Sequence, residues 1–277
     1  MSEPQAFIAQ IDARYRAGFL VAMFLAAAAR VFTLEPVPQS LLYHGFADTR
    51  SWLGIVNFGD VISSLPFAVT GGIGLLYVLG SPGRGTFVHR ADHWPYASFF
   101  IGVALVSAGS TYYHLAPDNA RLFWDRLPMT IAFMALFSAF IADRVHRRIG
   151  IFWLLPVVLC AGLASVVYWD FSESLGRGDL RWYILVQFYP MAALPVICWL
   201  FPARRYTSGW YPAWLIGWYA AAKVLEFLDA GIFELLGHTL SGHTLKHLAS
   251  AIAVLVVIRM IASPAKPASI KTAPGSA

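Results

Sequence analysis

Charge is what this chain has least of. Only 13% of its 277 residues are Asp, Glu, Lys or Arg, while 58% are hydrophobic. Soluble globular domains carry about 25% charged and about 45–50% apolar residues. The composition therefore excludes an ordinary soluble domain and leaves a polytopic membrane protein. Cysteine is equally scarce. Cys160 and Cys198 both lie in apolar runs and read as small buried hydrophobes, not as a disulfide or a metal pair. No soluble domain and no internal repeat is visible. Neither end resembles a cleaved address: no small-residue cleavage site follows the first apolar run. Ser263 to Ala277 is a polar tail rich in Pro, Ala and Lys, a composition that stays disordered. The net charge of +5 does not point to nucleic acid, because the basic residues fall mostly in short loops, where they set topology.

What is present is a series of apolar runs, with 15% aromatics and ten Trp suited to aromatic belts at both membrane faces. A helix needs about 20 mostly apolar residues to cross a bilayer. Eight runs qualify as spans: Ala17–Leu34, Asn57–Leu79, Pro95–Leu115, Arg121–Ala142, Ile149–Tyr168, Trp182–Phe201, Trp210–Leu228 and Gly242–Ile261. Arg30 interrupts the first, which is the weakest and can lie partly in the interface. Turn chemistry separates the runs, as in Ser81-Pro82-Gly83, Ala116-Pro117-Asp118-Asn119 and Gly176-Arg177-Gly178-Asp179. The predicted fold class is all-α, a polytopic transmembrane helical bundle.

Loop charge sets the orientation. One side carries Arg14, Arg16, Arg84, Arg90, Arg144, Arg147, Arg148, Arg204, Arg205, Arg259, Lys266 and Lys271; the other carries Arg50, Arg121, Arg126, Arg177 and Arg181. Arg30, Lys223 and Lys246 fall within spans. Both termini are expected in the cytoplasm. Compact loops without an organelle signal fit a bacterial inner membrane.

That topology brings scattered polar residues to one depth. His114 ends the third span at its outer edge, with Ser110 one turn deeper. Asp125 lies about one turn into the fourth span, and His243 and His247 occupy the first two turns of the eighth. Ionisable groups inside membrane segments are costly and mark functional sites. Residues four apart share a helix face, so His243 with His247, and Ser110 with His114, can each address one point. Three imidazoles plus one open position describe a catalytic zinc site, and zinc lowers the pKa of its bound water to about 7. Asp125 would serve as general base and then acid. Ser110 would orient Asp125 or donate to a developing oxyanion. Taken singly, each residue has a plainer reading: two separately hydrogen-bonded histidines, a helix-packing serine, and an aspartate paired with Arg121 or Arg126. Convergence at one depth favours the metal site, facing the periplasm or exterior.

Gly109-Ser110-Thr111-Tyr112-Tyr113-His114, Trp124-Asp125-Arg126-Leu127-Pro128-Met129 and His243-Thr244-Leu245-Lys246-His247 resemble the signatures of the alkaline ceramidase family. That family belongs to a superfamily of seven-helix membrane hydrolases that includes the adiponectin receptors. The similarity extends over about Asn57 to Ile261. It implies zinc held by His114, His243 and His247, with Asp125 and Ser110 at the water. It also implies hydrolysis of the amide of ceramide or a related N-acyl lipid. Two departures stand out. Family members have seven spans, so the first helix is an addition. Residues 1–56 then form an N-terminal segment with an added helix and an extracytoplasmic loop, 57–262 the seven-helix ceramidase-like domain, and 263–277 a cytoplasmic tail. Eukaryotic members also carry an acidic calcium-binding loop; here Tyr43 to Trp52 lacks it, with Asp48 the one remnant and Asn57 where a carboxylate would stand. Calcium is not expected.

Other polar residues receive provisional places. Lys223, Glu226 and Asp229 read as an ion-pair cluster bracing the site. Asp60, Ser63 and Ser64 lie at the same level and can orient a ligating histidine. Tyr189 is a candidate second oxyanion donor or a packing residue. His238 competes for a ligand role without the right helical spacing, and His44, His89, His93 and His146 read as solvated. The expected partner is a membrane lipid substrate, with no nucleic acid. The competing class is a zinc-containing receptor or lipid-binding protein without efficient turnover. An ion transporter has less support, since its polar groups would form a path across the bilayer.

Overall fold

In the computed structural model, which describes residue 8 and residues 10–265, the chain is an all-α bundle. Eight long helices are numbered here in chain order: α1 Ala13–Phe32, α2 Phe58–Leu79, α3 Trp94–Leu115, α4 Asn119–Phe140, α5 Ile149–Ser174, α6 Arg181–Leu200, α7 Tyr211–Phe227 and α8 Gly242–Ala262. Helices α1, α2, α5, α6 and α8 are long and apolar enough to cross a membrane, as is α4 continued through Val145. Helix α7, with 17 residues, reaches about 26 Å at 1.5 Å per residue. The polar tail expected at 263–277 lies outside the described residues beyond Ala265.

Local chemistry sets the helix starts that matter for the site. The Asp118 carboxylate accepts from the Arg121 amide at 2.7 Å and caps α4. The Ser241 hydroxyl accepts from the Thr244 amide at 3.0 Å and caps α8, so the first turn of α8, which carries His243, is held at its free N–H groups. Asn57 begins α2 with a left-handed φ of 48°, which Asn tolerates. Its side-chain amide donates to the His114 carbonyl at 2.8 Å, tying the start of α2 to the end of α3.

Helices α2 to α8 close on one another: α2 packs on α3, α3 on α4, α4 on α5 and α6, α6 on α7, α7 on α8, and α8 back on α2. Helix α1 stands outside this ring, mainly against α6, with Leu20 its one buried residue. The eight long helices fall on the eight spans that the sequence predicted. Two details differ. Helix α5 runs on to Ser174, beyond the Tyr168 expected, and a short unforeseen helix, Asp229–Leu235, links α7 to α8. Cys160 is exposed and Cys198 half-buried, not interior as expected; lipid tails are as apolar as a side-chain core, so an apolar run does not reveal which face turns inward.

Candidate metal centre

His114, His243 and His247 come together at one end of the bundle, 1%, 6% and 3% exposed. Their ring centroids lie 4.9 Å (114–243), 5.1 Å (114–247) and 4.8 Å (243–247) apart. One ligand nitrogen from each lies within 4.8 Å of the others. Nitrogens on a tetrahedral ion at about 2.1 Å sit roughly 3.4 Å apart, so rotamer adjustments of about an ångström close this set on one ion. The donors suit that role. Nδ1 of His114 is buried without a hydrogen-bond partner. The Ser63 hydroxyl lies 3.2 Å from the Asp60 carbonyl and 2.8 Å from Nδ1 of His247. By donating to the carbonyl and accepting from Nδ1–H, it leaves the Nε2 lone pair of His247 free for a metal.

The neighbours expected at this level are present. Asp60 is fully buried and accepts from the Thr244 hydroxyl at 2.9 Å, one turn before His247. Ser64 lies 2.9 Å from the Ser110 hydroxyl. Ser110, Asp125 and His247 share the wall of one cavity of about 620 Å³, within the range of ligand sites. From this polar end the cavity runs between Phe99, Val103, Leu136, Met191 and Val254, an apolar lining. Asp125 pairs with neither Arg121 nor Arg126. Arg121 binds Asp118 at 3.0 Å, and Arg126 donates to the Gln39 side-chain oxygen at 2.6 Å.

Gly109 permits this closeness. A Cβ there would collide with the Trp124 carbonyl and lie 3.2 Å from Cα of Asp125. Pro128, inside α4, has no N–H, so that carbonyl lacks its helical partner. Helices α3 and α4 therefore meet backbone to backbone where Ser110 and Asp125 face the cavity.

Several expectations need correction. Tyr189 is not an oxyanion donor. Its hydroxyl donates to the Leu20 carbonyl at 3.1 Å, and its ring packs on Phe24 and Phe137, between α1 and the core. Of the expected ion-pair cluster, Lys223 and Glu226 are joined at 2.6 Å. Asp229 instead accepts from the His243 amide at 2.7 Å and the Ala47 amide at 3.0 Å. His44 is not simply solvated, because its ring nitrogens contact the Tyr113 hydroxyl at 2.8 Å and the Asn119 side-chain oxygen at 2.9 Å. His93 is half-buried, its ring beside Phe87. His238 is exposed beside Phe233, away from the cluster.

The loop between α1 and α2 supplies what sequence reasoning missed. Phe46 lays its ring edge-on against His114 and His243, with centroids 4.7 and 4.6 Å away. Gln39 and Tyr43 line the cavity. The loop is anchored by Asp48, which accepts from the Arg50 guanidinium at 2.7 Å. That contact holds the Asp48 carboxyl below the usual carboxylate range, and Arg50 also donates to the Thr239 carbonyl at 2.8 Å. Lys246 was missed too. Its ammonium binds Glu226 at 2.8 Å and lies 3.3 Å from Nε2 of His243. A signal for it existed, since a charge inside a span marks a functional site by default; no comparable signal marks Phe46. Neither a protein-family model nor a curated protein matches this chain.

Proposed function

We propose that this chain is a zinc-dependent integral-membrane amidohydrolase that cleaves the amide of ceramide or a related N-acyl lipid into a free fatty acid and a lipid amine. The observation that carries the reading is the placement of Asp125 and Ser110 on the wall of the same cavity as His247, beside the three-histidine cluster. A structural metal in a receptor or lipid-binding protein needs neither a carboxylate nor a hydroxyl there. A polar site at one end of a long apolar channel also suits a substrate with one hydrolysable bond and a hydrocarbon tail.

His114, His243 and His247 would hold the metal, which when bound supplies Lewis acidity and an acidified water. The apolar channel seats the acyl chain and brings the amide carbonyl to the histidine end. Asp125 takes a proton from the attacking water as the new C–O bond forms, then returns it to the nitrogen as the C–N bond breaks. Ser110 donates a hydrogen bond to the carbonyl oxygen as negative charge develops on it. Water is consumed; its oxygen ends in the fatty acid and its protons are shared between the products. The buried setting strengthens each of these polar interactions.

Purified protein loaded with zinc should hydrolyse fluorescent N-acyl lipids. Asp125→Ala should lower turnover by roughly 10²–10⁴-fold with zinc retained, and His247→Ala should lose both zinc and turnover. No turnover on any N-acyl lipid, with zinc bound, would replace this reading by the receptor one. In this reading the site faces the periplasm or exterior of a bacterial inner membrane, as the excess of basic residues on the opposite side supports; a periplasm-dependent reporter fused to the C-terminus should stay silent, and activity there would reverse the orientation.

A further inference from the structure

The cavity wall carries more positive charge than the hydrolytic reading requires. Arg126, Lys223 and Lys246 line it, against the two carboxylates Asp125 and Glu226. Glu226 is shared by both lysines, at 2.6 and 2.8 Å, so one carboxylate faces two ammonium groups. Arg126 is 6% exposed, and among the described residues no carboxylate lies within 4.0 Å of it. Its guanidinium is held by one hydrogen bond to Gln39 and by the faces of Trp169 and Tyr183, 4.5 and 4.8 Å from their centroids. One of its terminal nitrogens is buried with no partner. Lys246 lies 3.3 Å from Nε2 of His243, and Arg126 directly follows Asp125 on α4, so the surplus sits at the polar end. A divalent ion on the histidines would add to it.

An uncompensated buried cation is costly, and buried charges are normally paired. A neutral head group would leave this surplus in place, whereas an anionic one would neutralise it through charge-assisted hydrogen bonds. Building on the amidohydrolase reading, we infer that the substrate is an N-acyl lipid whose amine portion bears an anion, a carboxylate as in an N-acyl amino acid or a phosphate as in an N-acyl amine phosphate ester. The acyl chain occupies the apolar channel, and the anion is met by Lys246, Lys223 and Arg126. These are binding and specificity residues, separate from the carboxylate and hydroxyl assigned to bond cleavage.

The test compares three lipids with one acyl chain and two-carbon heads: N-oleoylglycine, N-oleoylethanolamine phosphate and neutral N-oleoylethanolamine. Binding to metal-free protein in detergent is followed by intrinsic tryptophan fluorescence. One or both anionic lipids should bind roughly 10-fold more tightly than the neutral one, as one charged hydrogen bond implies; whichever is tighter identifies the anion. Arg126→Gln should collapse the preference and Arg126→Lys should keep most of it. If Arg126→Gln does not fold, Lys223→Gln should show the same collapse. Equal binding of all three lipids, or a preference unchanged in folded charge-removing variants, would overturn the inference. Cleavage assays on the zinc-loaded protein separate the two ideas. Turnover of neutral lipids with no binding preference would sink this inference and leave the amidohydrolase. A binding preference without turnover of any N-acyl lipid would sink the amidohydrolase, and with it the word substrate, while upholding the cavity's selectivity for an anionic head group.

Discussion

Adding one methyl group at Gly109 tests whether backbone contact between α3 and α4 assembles the site. In Gly109→Ala the new Cβ collides with the Trp124 carbonyl and sits 3.2 Å from Cα of Asp125. Both obstacles are backbone, so no side chain can swing aside. Restoring an ordinary C–H···O spacing of about 3.3–3.6 Å requires the helices to part by roughly an ångström. Overpacking of this kind costs about 1–3 kcal/mol, and the helix preference for Ala over Gly returns about 0.5–1 kcal/mol; the net loss is about 0–2.5 kcal/mol. The larger effect falls on function, because the displacement separates Ser110 from Asp125 and a misplacement of about 1 Å can cost about 10²-fold in rate. None of the three histidines is on α4, so metal binding should be retained. The assay pairs thermal unfolding in detergent with metal content and N-acyl lipid turnover. Gly72→Ala is the control, since a Cβ there meets nothing within 4 Å; its stability should be unchanged or slightly raised. Wild-type stability and turnover in Gly109→Ala would refute the argument that this contact positions Asp125.

Three further outcomes follow from individual contacts. Ser63→Ala removes the hydroxyl 2.8 Å from Nδ1 of His247 and should weaken metal affinity about 10–100-fold in competition with a chromogenic chelator; unchanged affinity would mean that Ser63 does not set the ring. Tyr189→Phe should leave turnover unchanged, because the lost hydroxyl served the Leu20 carbonyl; a large fall in kcat would return this tyrosine to the reaction. The Asp48 carboxyl titrates below its unfolded value of about 3.9, so its contribution is complete above that value and is lost as pH falls through the depressed folded pKa. Hydrogen exchange at Ala47 to Arg50 should therefore rise only in strongly acid solution in the wild type. Asp48→Asn should show the acid-state exchange already at neutral pH, and identical profiles would remove Asp48 as the anchor of the loop.

How much of this was legible in the sequence depended on which physical signal each residue carries. Spans follow from length and apolarity, so eight helices could be read directly, whereas their closure into a ring with α1 outside it could not. His114, His243 and His247 could be read because helical spacing and loop charge give face and depth. Those two coordinates bring residues to one level but do not say which helices adjoin. That is why Tyr189, at a plausible depth, proved to face α1 and not the cavity. Phe46, in a loop with no periodicity, had neither coordinate. Arg126 and Lys246 are the instructive failures. The loop-charge count takes Arg126, near the start of the fourth span, only as an outer-side charge and leaves out Lys246 because it falls within a span. Both lie on the cavity wall. Charge placed inside a bilayer segment is too costly to be a by-product of topology, so these two residues should weigh in the search for the substrate as heavily as the histidines weigh in the search for the metal.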